Sequence, residues 1–171
     1  MNDRRPLRIA LLLLIASCGG KLTVETRAAY LDEVYAKVNT EVHPGDYVAL
    51  LAYIERNPAH SEALTRLRRM IRDRTTAATC VGFGPRFLHS TGQVYKGGPN
   101  SGVILQIIAD DAEDLPVPGQ RYSFGMVKAA QARGDFDVLA ERGRRLLRVH
   151  LPADVEGGLR TFAAALEKAL Q

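Results

Sequence analysis

Tyr47-Val48-Ala49-Leu50-Leu51-Ala52-Tyr53-Ile54 is an unbroken apolar run of strand length. A strand with one solvated face alternates apolar and polar residues, whereas a strand covered on both faces of a parallel sheet stays apolar throughout. Periodicity alone also admits a buried helix over these residues. Upstream, Asn39-Thr40 and His43-Pro44-Gly45-Asp46 break a helical stretch from Val24 to Val38, in which Val24, Ala28, Leu31, Val34, Tyr35 and Val38 share a face. Downstream, Pro58 and Ser61 open a helix to about Arg72, with Leu64, Leu67, Met70 and Ile71 inward.

Thr76 to Val81 reads as a second buried strand, and Gly82-Phe83-Gly84-Pro85 as the turn that ends it. Val103-Ile104-Leu105-Gln106-Ile107-Ile108 is the third strand, and the best signalled. Asp110 to Gly119 is a surface loop. Helices are expected from Ser123 to about Arg133 and again from Phe136 to Arg142. Leu146 to Leu151 reads as a short strand or as the end of a helix. Asp154 caps a last helix from Val155 to Leu170, with Leu159, Phe162, Ala163 and Leu166 inward. Strands that alternate with helices predict an α/β fold, a mostly parallel sheet flanked by helices. Such sheets bind ligands where loops leave the carboxyl ends of the strands, here the loops 82–102 and 109–122.

At 171 residues the chain has room for one domain with a real core. Hydrophobic residues at 46% and charged residues at 25% are those of an ordinary globular domain. The net charge of +4 is mild. Its densest runs, Arg66-Leu67-Arg68-Arg69 and Arg142-Gly143-Arg144-Arg145, read as solvated helix faces rather than a nucleic-acid patch. Two cysteines, Cys18 and Cys80, with no CxxC spacing, argue against a disulfide scaffold and a zinc site.

Residues 1–18 form a leader. Arg4, Arg5 and Arg8 precede the apolar run Ile9 to Ala16, too short to span a bilayer, and Ile15-Ala16-Ser17-Cys18 resembles a lipoprotein lipobox. If processed, the leader makes this an envelope lipoprotein anchored through a lipidated Cys18. The opposing reading is a fortuitous apolar leader.

Between the second and third strands, Gly82 to Gly102 gathers Gly, His, Ser, Gln, Lys and Asn. Glycines let a backbone approach a ligand, and amides freed there can hold oxyanions. Imidazole titrates near neutral pH, so His89 suits passing protons to and from a sugar ring oxygen. Gln93 follows one helical turn later, and Lys96 before Gly97-Gly98 offers a cation to a phosphate. The segment is neither GxGxxG nor GxxxxGK[ST], which excludes dinucleotide and P-loop readings. Asp110, Asp111, Glu113 and Asp114 lack EF-hand spacing and read as a solvated acidic loop. Lys128 reads as a surface lysine. Ser90 has no GxSxG context, and His43, His60 and His150 have no partner at a useful spacing.

Phe87-Leu88-His89-Ser90-Thr91-Gly92-Gln93, followed by Lys96-Gly97-Gly98-Pro99, resembles the Leu-His-Ser-x-Gly-Gln segment of bacterial glucose-6-phosphate isomerases. The resemblance is closer still to the isomerase half of bifunctional transaldolase/glucose-6-phosphate isomerases. Asp46 to Asn57, Val103 to Pro118, Tyr122 to Asp135 and Leu139 to Gly143 match that type collinearly, so the resemblance runs over residues 21–171.

The resemblance implies a flavodoxin-like, sugar-isomerase subdomain, incomplete by itself. It implies interconversion of glucose 6-phosphate and fructose 6-phosphate in glycolysis and gluconeogenesis, without metal or organic cofactor, in the cytoplasm. His89 would be the catalytic histidine that helps open the pyranose ring, and Ser90, Gln93 and Lys96 would bind substrate. The family's base segment (Glu-Ser-x-Gly-Lys), its Ser-x-Ser-Gly-Thr-Thr phosphate loop and its Phe-Asp-Gln-x-x-Val-Glu segment do not occur here. The expectation is therefore one wall of an active site, inactive alone, completed by an N-terminal isomerase fragment. The alternatives are a lipid-anchored module that binds a sugar phosphate or other small ligand, and a truncated remnant.

Overall fold

The computed structural model describes residues 42–169. The leader with Cys18, the helical stretch Val24 to Val38 and Leu170 lie outside the described residues. The elements run β1 (Tyr47–Tyr53), α1 (Pro58–Thr75), β2 (Ala78–Phe83), a 3-10 turn (Arg86–Leu88), α2 (Thr91–Gly97), β3 (Gly102–Ala109), α3 (Phe124–Glu141), β4 (Arg145–Leu151) and α4 (Val155–Ala169). The four strands form one parallel sheet in the order β2-β1-β3-β4, a flavodoxin-like arrangement.

Register explains why β1 reads as an unbroken apolar run. It is central, with Leu50 opposite Val81 on one side and Leu105 on the other. Ala49, Leu51 and Tyr53 face a cluster with Phe87, Ile104, Ala132, Leu139 and Leu146. Val48, Leu50 and Ala52 alternate to the opposite face and are fully buried too. α3 packs on the Ala49, Leu51 and Tyr53 face through Ala132 and Leu139, and the right-handed rule for parallel crossovers places α2 with it and α1 on the other face. α4 returns to pack on α1, and α2 packs on α3. Leu64, Leu67 and Ile71 of α1 and Leu159, Phe162 and Leu166 of α4 are at most 2% exposed. Each such side chain contributes about 1.5–3 kcal/mol of burial.

α1 begins as its sequence dictates. Asn57 caps it by accepting from the His60 amide at 2.8 Å, and Pro58 occupies the first turn. It ends at Thr76, in the left-handed region at φ 57°. That terminus delays β2 to Ala78, and Gly82 and Phe83 stay in the strand opposite Leu51 and Ala52 instead of turning. Asp154 caps α4 as expected, its Oδ1 accepting from the Gly157 amide at 2.9 Å. Leu146 to Leu151 is a strand, paired with β3.

The third helix also differs from the sequence reading. Phe124 to Glu141 is a single helix, capped by Ser123, whose Oγ accepts from the Met126 amide at 3.2 Å. Gly134-Asp135 reads locally as a break, yet Asp135 is buried against the neighbouring helix, and that packing carries α3 through the glycine. No helix among the described residues is long and apolar enough to cross a membrane.

Candidate functional site

The carboxyl end of β2 delivers the chain into a tight corner whose shape rests on three close approaches. A Cβ on Gly84 would lie 2.7 Å from the Tyr53 ring, and one on Gly92 would lie 2.8 Å from the Phe87 carbonyl oxygen. Phe87 is 5% exposed and meets Tyr53 edge-on, with ring centroids 5.4 Å apart. Burial first, and then the nearby Asp135 charge, push the Tyr53 phenol above its ordinary range. With Phe87 anchored inward, the 3-10 turn leaves His89, Ser90 and Gln93 exposed at the start of α2. Among the described residues, none of the three side chains has a hydrogen-bond partner.

Lys96 is placed differently. Its Nζ lies 2.9 Å from Oδ1 of Asp135, which is 4% exposed, so the ammonium ties α2 to α3. Arg144 closes the same corner by donating to the carbonyls of Lys96 and Gly98, at 2.6 Å each. The structure thus gathers His89, Ser90 and Gln93 on one exposed turn and commits Lys96 to an internal carboxylate.

Two clefts open at the carboxyl ends of the strands. The larger, about 530 Å³, lies where the strand order reverses between β1 and β3. Glu55, Asp110, Asp111, Glu113, Asp154 and Glu156 line it, against Lys128 and Arg160. Several of these carboxylates are already engaged. Asp111 pairs with Lys128, and Asp110 lies 2.7 Å from His150 Nε2. Beyond the cleft, Asp114 accepts from Ser123 Oγ and from the Gly125 amide, and these bonds lower its pKa. The acidic loop is therefore bound to its own neighbours, and Lys128 is an ion-pair partner rather than a free surface lysine. No cluster among the described residues could hold a metal ion.

The second cleft, about 450 Å³, lies at the head of β2. Ser61 and Thr65 of α1, Arg56 before it, and Arg86, Ser90 and Thr91 after β2 supply its polar lining. No carboxylate lines it. Ser90 was expected from sequence at a binding site, whereas Arg56 and Arg86 were not singled out. Thirty positions separate the two arginines, and only the β1–α1–β2 crossover brings them to one cleft.

No family model matches the chain, and no curated protein matches it. Among solved structures, the fold is similar to the hypothetical protein TT0462 from Thermus thermophilus. The TM-score is 0.63 and the identity 16%, over 86% of this chain and 40% of that protein. The chain thus spans 40% of that neighbour's length. At this identity the likeness shows the fold alone.

Proposed function

We propose that this chain is one wall of a glucose-6-phosphate isomerase active site and interconverts glucose 6-phosphate and fructose 6-phosphate only when a second isomerase portion supplies the base. The observation that carries this reading is the placement of His89. It stands exposed and without a partner among the described residues, one position before Ser90 on the rim of a cleft that lacks carboxylates. A histidine held so can pass a proton to the pyranose ring oxygen as the ring opens. Gln93, one helical turn on, flanks it as a donor to sugar hydroxyls.

Moving the proton between C2 and C1 through a cis-enediol requires a carboxylate within reach of both carbons. The cleft at the head of β2 has none. The carboxylates at the β1/β3 crevice line a separate cleft, and a cluster of like charge there repels a phosphate dianion. The same lack of a base favours, as a second reading, a module that holds a sugar phosphate without turning it over.

The test is His89→Ala in the presence of an N-terminal isomerase fragment. Turnover of cyclic glucose 6-phosphate is expected to fall about 100-fold or more, the usual contribution of a general acid–base group. Turnover of the open-chain form should fall much less. An unchanged rate on the cyclic sugar would remove His89 from the mechanism.

A further inference from the structure

We infer that the cleft at the head of β2 is a phosphate-binding subsite, in which Arg56 and Arg86 neutralise a phosphate monoester and Ser61 and Ser90 donate hydrogen bonds to it. Neither guanidinium forms an ion pair or hydrogen bond among the described residues. Arg56 is held over the Phe83 ring, its guanidinium carbon 5.8 Å from the centroid, a cation–π contact that keeps the charge at the end of β2. Arg86 projects from the exposed 3-10 turn.

Hydroxyl bookkeeping narrows the donors. Thr65 Oγ1 donates to the Ser61 carbonyl at 2.7 Å, and Thr91 Oγ1 to the Phe87 carbonyl at 3.3 Å. The Ser61 and Ser90 hydroxyls have no such partner among the described residues. The cleft therefore presents two permanent cations and two uncommitted hydroxyls, with no carboxylate to compete. A phosphate monoester carries about −1.5 to −2 charges at neutral pH and accepts several hydrogen bonds, so charge and donors both match. Guanidinium forks suit phosphate oxygens better than an ammonium does. At about 450 Å³ the cleft is of small-molecule size and open to solvent. A phosphorylated small molecule fits it better than an extended nucleic-acid strand.

This assignment rests on the sugar-phosphate reading only for the identity of the ester, and the anion site stands or falls separately. Because Lys96 is held by Asp135, the phosphate role expected of that lysine passes to the two arginines.

The probe is inorganic phosphate, titrated into the full chain at constant ionic strength with chloride as the control anion, and followed by amide NMR shifts at Gly82, Ser90 and Thr91. Saturable shifts at these amides are expected with phosphate and absent with chloride. Arg56→Ala and Arg86→Ala should each weaken binding about tenfold or more, and Arg86→Lys should recover part of the loss. Arg133→Ala, which breaks a surface pair with Asp137, should leave binding unchanged and serves as the folding control. Binding should weaken in acid, as the phosphate dianion gains a proton and loses a charge. Equal shifts with chloride, or full binding in both arginine variants, would overturn the subsite. Phosphate binding without any turnover in the complemented enzyme would sink the isomerase reading and leave the subsite standing. Turnover with an unchanged KM in the Arg56→Ala/Arg86→Ala double variant would do the reverse.

Discussion

Gln106 shows how a single polar residue can be forced into a parallel strand. It is fully buried in β3, its Nε2 donating to the Ala132 carbonyl at 2.9 Å and its Oε1 accepting from Arg148 Nε at 2.7 Å. Arg148 in turn donates to the same carbonyl at 3.1 Å and stacks 4.1 Å over the Phe136 ring. Gln106→Leu keeps the volume but removes one partner each from Arg148 and Ala132. The expected loss is about 1–3 kcal/mol in a urea titration, with the slope unchanged. An unchanged midpoint would show that the network contributes nothing. Nothing in the sequence assigns Gln106 this network, since its partners lie 26 and 42 positions away. That His89 and Ser90 lie together is plain from one short segment. That Arg56 and Arg86 line one cleft with Ser90 is not, because no local pattern links a residue before α1 to one after β2.

At the scale of elements, continuous apolar runs identified β1 and β3 nearly to the residue, because both are buried on two faces. The edge strand β2 is half-exposed, and its boundary slipped by two residues where Thr76 takes a left-handed conformation. α3 was the hardest to read. Phe124, Met126 and Val127 are exposed apolar residues on it, while Asp135 is buried, which blurs any amphipathic stripe. Only the Lys96–Asp135 pair across α2 and α3 shows why the helix does not stop at Gly134. A side chain at Gly134 meets nothing within 4 Å. Gly134→Ala is therefore expected to stabilise the fold by about 0.5–1 kcal/mol, read as a higher denaturation midpoint. Destabilisation would mean that α3 is not continuous through this position.

For the molecule as a whole, one ion pair fastens the amino ends of the central strand and an edge strand. Arg145 at the start of β4 grips both oxygens of Asp46 just before β1, with Nη2 to Oδ1 at 2.8 Å, and also donates to the Asn100 carbonyl at 2.8 Å. The Asp46 and Arg145 side chains are 8% and 16% exposed. The hydrogen bonds from Arg145 hold the Asp46 carboxyl well below the usual range, with the His43 amide adding to the effect. A depressed folded-state pKa gives stability that is fully present above the unfolded value of about 3.9 and lost as pH falls below it. Thermal unfolding should thus show wild type ahead of Asp46→Asn at neutral pH, with the gap closing from about pH 4 downward. A gap that persists undiminished in acid would mean the pair is not what Asp46 contributes. The fold itself was legible in the alternation of strands and helices. The grouping of the lining residues into two clefts was not, because it follows from strand order, which no single segment encodes.

The most direct measurement of the central claim is isomerisation of fructose 6-phosphate by purified residues 18–171, alone and with an N-terminal isomerase fragment. No turnover is expected from the chain alone, and clear turnover with the fragment. Turnover by the chain alone would contradict that claim and point to a base within the chain, with Glu55 and Glu113 of the β1/β3 crevice the first to replace.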